Sequence, residues 1–252
     1  MSDSAIAELE DDDAPGRQLE LLEHLTELRT RIIRVVVYVA VGMLFGWIFY
    51  SRFFSFLTAP VSVFLKGDSS FLITGITEAF SIKMQISVVI GIVLALPLIT
   101  MEGWRFVAPG LTRRERRSVK LVAPLSVVLS ALGLVTAYFV MPMGIRWLIG
   151  LIPKEAKFMP NVQTSMLFIV KTYLAFAVLF QMPVVLMFLG KVGIVTSDML
   201  TRNWRQAIVV IGIVAAAATP SGDAVTMMMM CGPMIVLYIL SIGLVRMVEH
   251  RA

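Results

Sequence analysis

MQISVVIGIVLALPLITM, residues 84–101, contains no charged side chain and lies between Lys83 and Glu102. An apolar run of about 18 residues is long enough to cross the hydrocarbon core of a bilayer as an α-helix. The rest of the chain has the same character, with 58% hydrophobic and 15% charged residues. A soluble domain carries about 25% charged residues, so too few are present to cover a globule. The sequence therefore predicts an all-α membrane protein.

Six apolar runs of this kind divide the chain into six predicted transmembrane helices. They cover residues of about 32–51, 80–101, 119–143, 165–190, 205–219 and 224–245. The fifth run is the shortest and falls short of the roughly 30 Å of hydrocarbon. We expect one transmembrane domain over residues 18–246, preceded by a disordered acidic tail at 1–17 and followed by a short tail at 247–252.

The distribution of Lys and Arg predicts the orientation of these helices. If both termini are cytoplasmic, 15 of the 22 basic residues lie on the cytoplasmic side and 7 on the other. This bias satisfies the positive-inside rule and predicts a multi-pass protein of a bacterial inner membrane. The net charge of +5 then reflects topology and contact with anionic lipids, without any need for nucleic acid.

Proline and glycine indicate how the spans are shaped and packed. Prolines within the predicted spans are expected to bend their helices, giving several kinked helices in a concave bundle, and they include Pro97, Pro124, Pro183 and Pro233. The motif Gly42-x-x-x-Gly46 is a candidate for close helix packing. The apolar segment of residues 53–65 is too short to span, so we expect it to cap the outer face.

Two segments at the inner surface carry candidate binding residues. LEHLTELRTRIIR, residues 22–34, predicts an amphipathic helix that lies along the inner surface before it turns into the membrane. Its Glu27 either pairs with Arg31 at i,i+4 spacing or binds an external basic group. In the first inner loop, Pro109 and Gly110 predict a turn, and Glu115 stands alone among four arginines. Glu102, with Trp104, is expected to be an interfacial anchor.

Two polar residues near the outer and middle parts of the spans have alternative interpretations. Gln181 either contacts a partner helix or forms a hydrogen bond between helices of this chain. Asp223 begins the last span and is expected to cap it by accepting a backbone N–H.

The sequence carries no pattern typical of an enzyme. The single Cys231 excludes a disulfide framework, and His24 and His250 are too few for a histidine-rich metal centre. The chain has no H-E-x-x-H, no G-x-S-x-G and no glycine loop that would bind phosphate, so we expect no enzyme and no cofactor. A small-molecule transporter or channel is the alternative, but the last three spans show no clear repeat of the first three, and the mid-span regions are almost without charge.

Four motifs resemble those of TatC, the receptor subunit of the twin-arginine translocase. They are HLTELRTR (24–31), FVAPGLTRRERR (106–117), AYFVMP (137–142) and TPSGD (219–223), and the resemblance extends from about residue 19 to residue 246. It implies a receptor for signal peptides with paired arginines. It also implies single-span TatA- and TatB-type partners, a homo-oligomer within a translocase complex, and use of the proton-motive force to move folded proteins.

The resemblance also assigns roles to particular residues. By its motifs, Glu27 and Glu115 would bind the paired arginines, Phe106 and Leu111 would contact the signal peptide, and Arg29 would orient the helix entry. Three prolines, Pro60, Pro97 and Pro109, would shape the outer cap, the second helix and the inner loop. Gln181 departs from the family, which generally has glutamate at this position. The resemblance also implies an alternative role for Asp223, a polar contact with a partner at the outer end.

Overall fold

The computed structural model describes residues 15–62, 64, 71–107, 116–153, 155 and 159–249. These residues form nine helices: α1 (Pro15–Ile48), α2 (Tyr50–Ser62), α3 (Glu78–Val107), α4 (Arg116–Gly150), α5 (Val162–Leu179), α6 (Met182–Lys191), α7 (Ser197–Arg202), α8 (Trp204–Ala218) and α9 (Ala224–Glu249). They contain no β-strand, and an isolated parallel bridge joins Leu72 to Asn161. The all-helical fold class is confirmed. The predicted acidic tail lies mostly outside the described residues.

Five helical segments in the described part of the chain are long and apolar enough to cross a membrane: Leu25–Ile48, Glu78–Phe106, Val122–Gly150, Val162–Lys191 and Ala224–Glu249. The predicted fifth span corresponds to α8, which has only 15 residues. At 1.5 Å per residue, α8 is roughly 22 Å long and shorter than the hydrocarbon core. The count of six spans therefore stays a prediction.

Helix α1 differs from the expected surface helix followed by a turn. The helix runs without interruption from Pro15 to Ile48, so the 22–34 segment and the first span form one element. The reason lies in the sequence, which has no glycine or proline from Arg17 to Val41. Without a residue that breaks the hydrogen-bond ladder, the amphipathic segment continues directly into the apolar segment.

Helix α1 packs along α3 and makes few contacts with the other described helices. Glycines allow a very close approach: a Cβ on Gly91 would lie 2.7 Å from the carbonyl oxygen of Val39 and from the backbone nitrogen of Met43. A Cβ on Gly42 would lie 2.9 Å from the Cα of Gly91, and one on Gly46 would lie 3.0 Å from the Cα of Ser87. The predicted close packing of the Gly42-x-x-x-Gly46 motif is confirmed.

The short helix α2 packs against α3, α4 and α5, as expected for a segment that cannot span. It buries Leu57, Pro60 and Val61. The prolines of the spans behave differently from one another: Pro97, Pro124 and Pro233 lie inside uninterrupted helices, whereas the fourth span is divided at Phe180 and Gln181, next to Pro183. The predicted concave shape of the bundle stays a prediction.

The centre of the fold is α5, which packs against both α3 and α4, while α6 packs against α9. Met166, Phe176 and Ala177 of α5 are almost completely buried. At the start of α3, Asn161 donates to the carboxylate of Glu78 at 3.2 Å, and Thr74 donates to the same carboxylate through its backbone N–H at 3.0 Å and through its hydroxyl. The segments that precede α3 and α5 are therefore joined to the start of α3.

Candidate functional site

The N-terminal half of α1 and the C-terminal end of α3, which the predicted orientation places on the inner side, bring together a cluster of charged side chains. Helix α1 contributes Glu27, Arg31 and Arg34, which lie one turn apart along one side of the helix. Helix α3 contributes Glu102 and Arg105 from its last two turns. We call these five residues the inner charge cluster. It is positioned by the close packing of α1 on α3, because no other described helix contributes to it.

Arg31 is at the centre of the inner charge cluster. Its Nε donates to Glu27 Oε1 at 3.1 Å, and its Nη2 also contacts that oxygen. Its Nη1 donates to Glu102 Oε2 at 2.9 Å and to the Glu102 carbonyl oxygen at 3.3 Å. Its Nη2 donates to the Arg105 carbonyl oxygen at 3.0 Å. The guanidinium therefore bridges two carboxylates and also binds two carbonyls of the last turns of α3, where a cation is favoured.

Glu102 is the buried carboxylate of the inner charge cluster, with a side chain only 2% exposed. Its Oε1 accepts hydrogen bonds from Arg105 and Tyr38, both at 3.4 Å. Arg34 Nη1 lies 3.8 Å from Oε2, the oxygen that Arg31 binds. A buried carboxylate needs such partners because an unpaired charge is costly away from water. The expectation that Glu102 and Trp104 are interfacial anchors is therefore wrong. Trp104 is buried and meets Phe188 with ring centroids 4.7 Å apart.

Glu27 is more accessible than Glu102, with a side chain 35% exposed. It borders an open polar pocket of about 280 Å³ that is lined by Thr26, Glu27, Thr30, Arg31 and Arg34. The predicted ion pair between Glu27 and Arg31 is confirmed. Arg29 is exposed on α1, and Phe106 is half-buried in the last turn of α3. Three predicted site residues, Pro109, Leu111 and Glu115, lie outside the described residues.

Gln181 is buried at the division between α5 and α6 and forms hydrogen bonds within the chain. Its amide nitrogen donates to Ser130 Oγ at 2.7 Å and to the Ser126 carbonyl oxygen at 3.3 Å. Its amide oxygen accepts from the hydroxyls of Ser126 and, at 3.4 Å, of Thr100. These bonds connect the fourth span to α3 and α4, which is the intramolecular alternative for this residue. Contact with a partner helix stays a prediction.

Asp223 caps the last helix, as one of its two interpretations predicted. Its Oδ1 accepts the backbone N–H of Thr226 at 2.7 Å, and its Oδ2 accepts the hydroxyl of Ser221. Partial burial alone raises the pKa of Asp223, but the hydrogen bonds from Ser221 and Thr226 outweigh it and hold the pKa below its ordinary value. The stabilisation by the ionised cap is therefore present above the unfolded-state pKa and is lost as the pH falls through the folded-state pKa.

The described residues contain no group of three or more His, Cys, Asp or Glu side chains placed to hold a metal ion. The carboxylates of the inner charge cluster are not available to a metal ion, because guanidinium groups already surround them. Such planar cations bind carboxylates through paired, charge-assisted hydrogen bonds. The arrangement is thus suited to holding guanidinium groups.

Most of the chain matches one protein family. The family model described as Sec-independent protein translocase protein (TatC) matches residues 23–233. The chain belongs to the TatC family. The TatC protein of Desulforapulum autotrophicum is 36% identical over 221 residues, which is 87% of this chain and 82% of that protein. The TatC protein of Aquifex aeolicus is 31% identical over 238 residues, covering 92% of this chain and 97% of its own length.

Solved TatC structures have the same fold. A crystal structure described as the twin-arginine translocase receptor TatC has a TM-score of 0.75 and 31% identity, and the match covers 89% of this chain and 99% of that chain. A second one, in DDM, has the same TM-score. The chain is therefore a TatC subunit of a Sec-independent translocase and a multi-pass inner-membrane protein. Members of the TatC family are components of a protein translocase rather than enzymes.

The bridging role of Arg31 and the burial of Glu102 are features of this TatC chain that sequence reasoning missed. One signal was available, since Glu102 directly follows the uncharged run 84–101 at the same inner surface as Glu27. The sequence did not show that the two helices approach closely enough for one guanidinium to reach both carboxylates.

Proposed function

We propose that this TatC subunit is the signal-peptide receptor of its translocase and binds paired arginines at its cytoplasmic face. In this proposal Glu27 and Glu115 accept the two guanidinium groups, Phe106 and Leu111 contact the rest of the peptide, and Arg29 orients the inner end of α1. Pro109 shapes the inner loop. Both termini lie in the cytoplasm, and the basic inner surface also contacts anionic lipids.

The observation that supports this proposal best is the accessibility of Glu27. Its carboxylate borders an open polar pocket and already binds a guanidinium through two nitrogen atoms. A signal-peptide arginine would make the same kind of bonds, worth about 1.5–3 kcal/mol each because both groups are charged. Lysine lacks the planar fork, so a pair of lysines would bind less well.

The remaining parts of the proposal concern partners and energy. TatA- and TatB-type single-span subunits would assemble along the helices, with Gln181 and Asp223 as contact candidates, in a complex that contains several copies of the chain. Because the amide of Gln181 is saturated by internal hydrogen bonds, a partner would have to replace at least one of them. The proton-motive force would drive movement of the folded cargo.

Site-specific photo-crosslinking tests the receptor proposal. Photo-reactive residues at Thr30, which lines the same pocket as Glu27, and at Phe106 leave both proposed carboxylates in place. They are expected to crosslink a signal peptide that carries Arg-Arg and to lose the crosslink when the pair is Lys-Lys. A probe at Ile76, which is fully exposed just before the start of α3 and far from Phe106 at its other end, serves as the control. Equal crosslinking of both peptides, or crosslinks from Ile76 alone, would contradict the proposal.

A further inference from the structure

The carboxylate of Glu27 already has a hydrogen-bond partner within the chain. Arg31 lies one turn away and contacts Glu27 Oε1 through both Nε and Nη2. The Arg31 side chain is only 14% exposed, so its guanidinium is held in place by the packing of α1 on α3. An arginine from outside must therefore compete with an arginine that the chain itself supplies.

The charge balance of the inner charge cluster leads to the same conclusion. Its three arginines and two glutamates give a net charge of +1. Two further guanidinium groups could not simply be added, because like charges at these distances repel each other strongly where the site is partly dry. A peptide arginine therefore cannot share the Glu27 carboxylate with Arg31, and Arg31 must give up its bonds to that carboxylate first.

The structure also contains a place for the displaced charge. Without Glu27, Arg31 would still bind Glu102 Oε2 at 2.9 Å, the Glu102 carbonyl at 3.3 Å and the Arg105 carbonyl at 3.0 Å. These three acceptors belong to the end of α3, and Glu102 is buried where a peptide cannot easily reach it. The guanidinium can therefore leave Glu27 without becoming an unpaired charge.

We propose that Arg31 binds the Glu27 carboxylate in the free protein and that a signal-peptide arginine displaces Arg31 from it. Glu102 is the positioning residue that holds Arg31 during the exchange. This inference rests on the proposed receptor function and adds a specificity mechanism to it. An intramolecular competitor is present at high effective concentration, so it excludes weak ligands first. A lysine or a single arginine would fail to displace Arg31, whereas a pair supported by a second contact would succeed.

Peptide affinity of the full-length protein in mild detergent tests the exchange. A fluorescent signal peptide with Arg-Arg is titrated against wild type, Arg31→Gln and Arg34→Gln at one fixed ionic strength. We expect Arg31→Gln to lower the Kd about tenfold, which is the effect of removing a competitor that occupies its site roughly nine times in ten. Discrimination against the Lys-Lys peptide should weaken in the same variant.

Arg34→Gln is the matched control, because it removes the same charge from the same cluster. Arg34 is 53% exposed and lies 3.8 Å from Glu102, with no bond to Glu27. Removing the Arg34 charge should lower the Kd about twofold at most, since it only weakens the screened repulsion between the cluster and the peptide. An equal gain in both variants would show a pure charge effect and would overturn the exchange mechanism. Weaker or unchanged binding by a folded Arg31→Gln would also overturn it.

The double variant Arg31→Gln with Glu102→Gln keeps the test valid if the single variant does not fold. It removes the buried carboxylate together with its main partner, so no buried charge loses its counter-ion. Its Kd should fall as in the single variant, and an unchanged or higher Kd would contradict the inference. If wild type fails to prefer Arg-Arg over Lys-Lys, the receptor proposal fails and the exchange mechanism fails with it.

Discussion

Glu27 and Glu102 bind the same guanidinium but differ in exposure, so their removal should affect stability differently. We expect Glu102→Gln to lower the free energy of unfolding by about 2–4 kcal/mol, because breaking a buried ion pair leaves the remaining charge poorly compensated. Glu27→Gln should cost less than about 1 kcal/mol, because this carboxylate is one-third exposed. Thermal unfolding in one detergent measures both, and equal losses would contradict the burial of Glu102.

Gln181 gives a second prediction at the scale of one residue. Gln181→Leu keeps the size of the side chain but removes the bonds to Ser126, Ser130 and Thr100. We expect a loss of about 1–2 kcal/mol, at the upper end of the range for hydrogen bonds inside membranes. Arg-Arg peptide binding should not change. Thermal unfolding and peptide titration check the two parts, and lost partner co-purification at unchanged stability would instead identify Gln181 as a partner contact.

The contact between α1 and α3 can be tested at the scale of the element. Gly91→Ala places a methyl group 2.7 Å from two backbone atoms of α1, and backbone cannot move aside as a flexible side chain can. We expect a loss of about 1–3 kcal/mol and weaker peptide binding, since the shift of α1 also moves Glu27. Gly103→Ala on the same helix is the control, because its methyl group meets nothing within 4 Å.

Gly103→Ala should leave stability unchanged or raise it by up to about 1 kcal/mol, the difference in helix propensity between glycine and alanine. Thermal unfolding and the peptide Kd are measured for both variants. A Gly91→Ala protein as stable as Gly103→Ala would show that α1 is not in close contact with α3.

At the scale of the helices, the positions of the long apolar helices and the contacts between residues close in sequence were predictable. Contacts between distant segments were not. The long apolar runs gave the positions of the main helices, and the local signals gave the Glu27–Arg31 pair and the Asp223 cap. The continuity of α1 was missed because an amphipathic segment before a span was interpreted as a separate helix. The Arg31–Glu102 bridge joins residues 71 positions apart, and no local sequence pattern predicts a contact at that separation.

At the scale of the whole molecule, the short helix α8 decides the number of crossings. We expect six spans with both termini in the cytoplasm, so the turn between α8 and α9 and the segment that contains Ile76 should both face the outside. In a Cys231→Ser background, a membrane-impermeant thiol reagent added to intact cells should label Ser221→Cys and Ile76→Cys. Met199→Cys in α7 should be labelled only after the membrane is opened. All three of these positions are exposed.

The labelling result separates the two possible topologies. If Ser221→Cys behaved like Met199→Cys, α8 would not cross the membrane, and five crossings would place the two termini on opposite sides. The pattern of basic residues argues for the even number, because both ends of the chain then lie on the side that carries most of the Lys and Arg.

The packing of α1 on α3 also sets a numerical constraint on the chain. Arg31 and Gly42 are 11 residues apart in α1, and Gly91 and Glu102 are 11 residues apart in α3. Eleven residues are about three helical turns, so each pair lies on one side of its helix. The helices run in opposite directions, and the two contacts, Arg31 with Glu102 and Gly42 with Gly91, are therefore in phase. Inserting one residue in either interval would rotate one contact by about 100° relative to the other. In these intervals, length is constrained more tightly than side-chain identity.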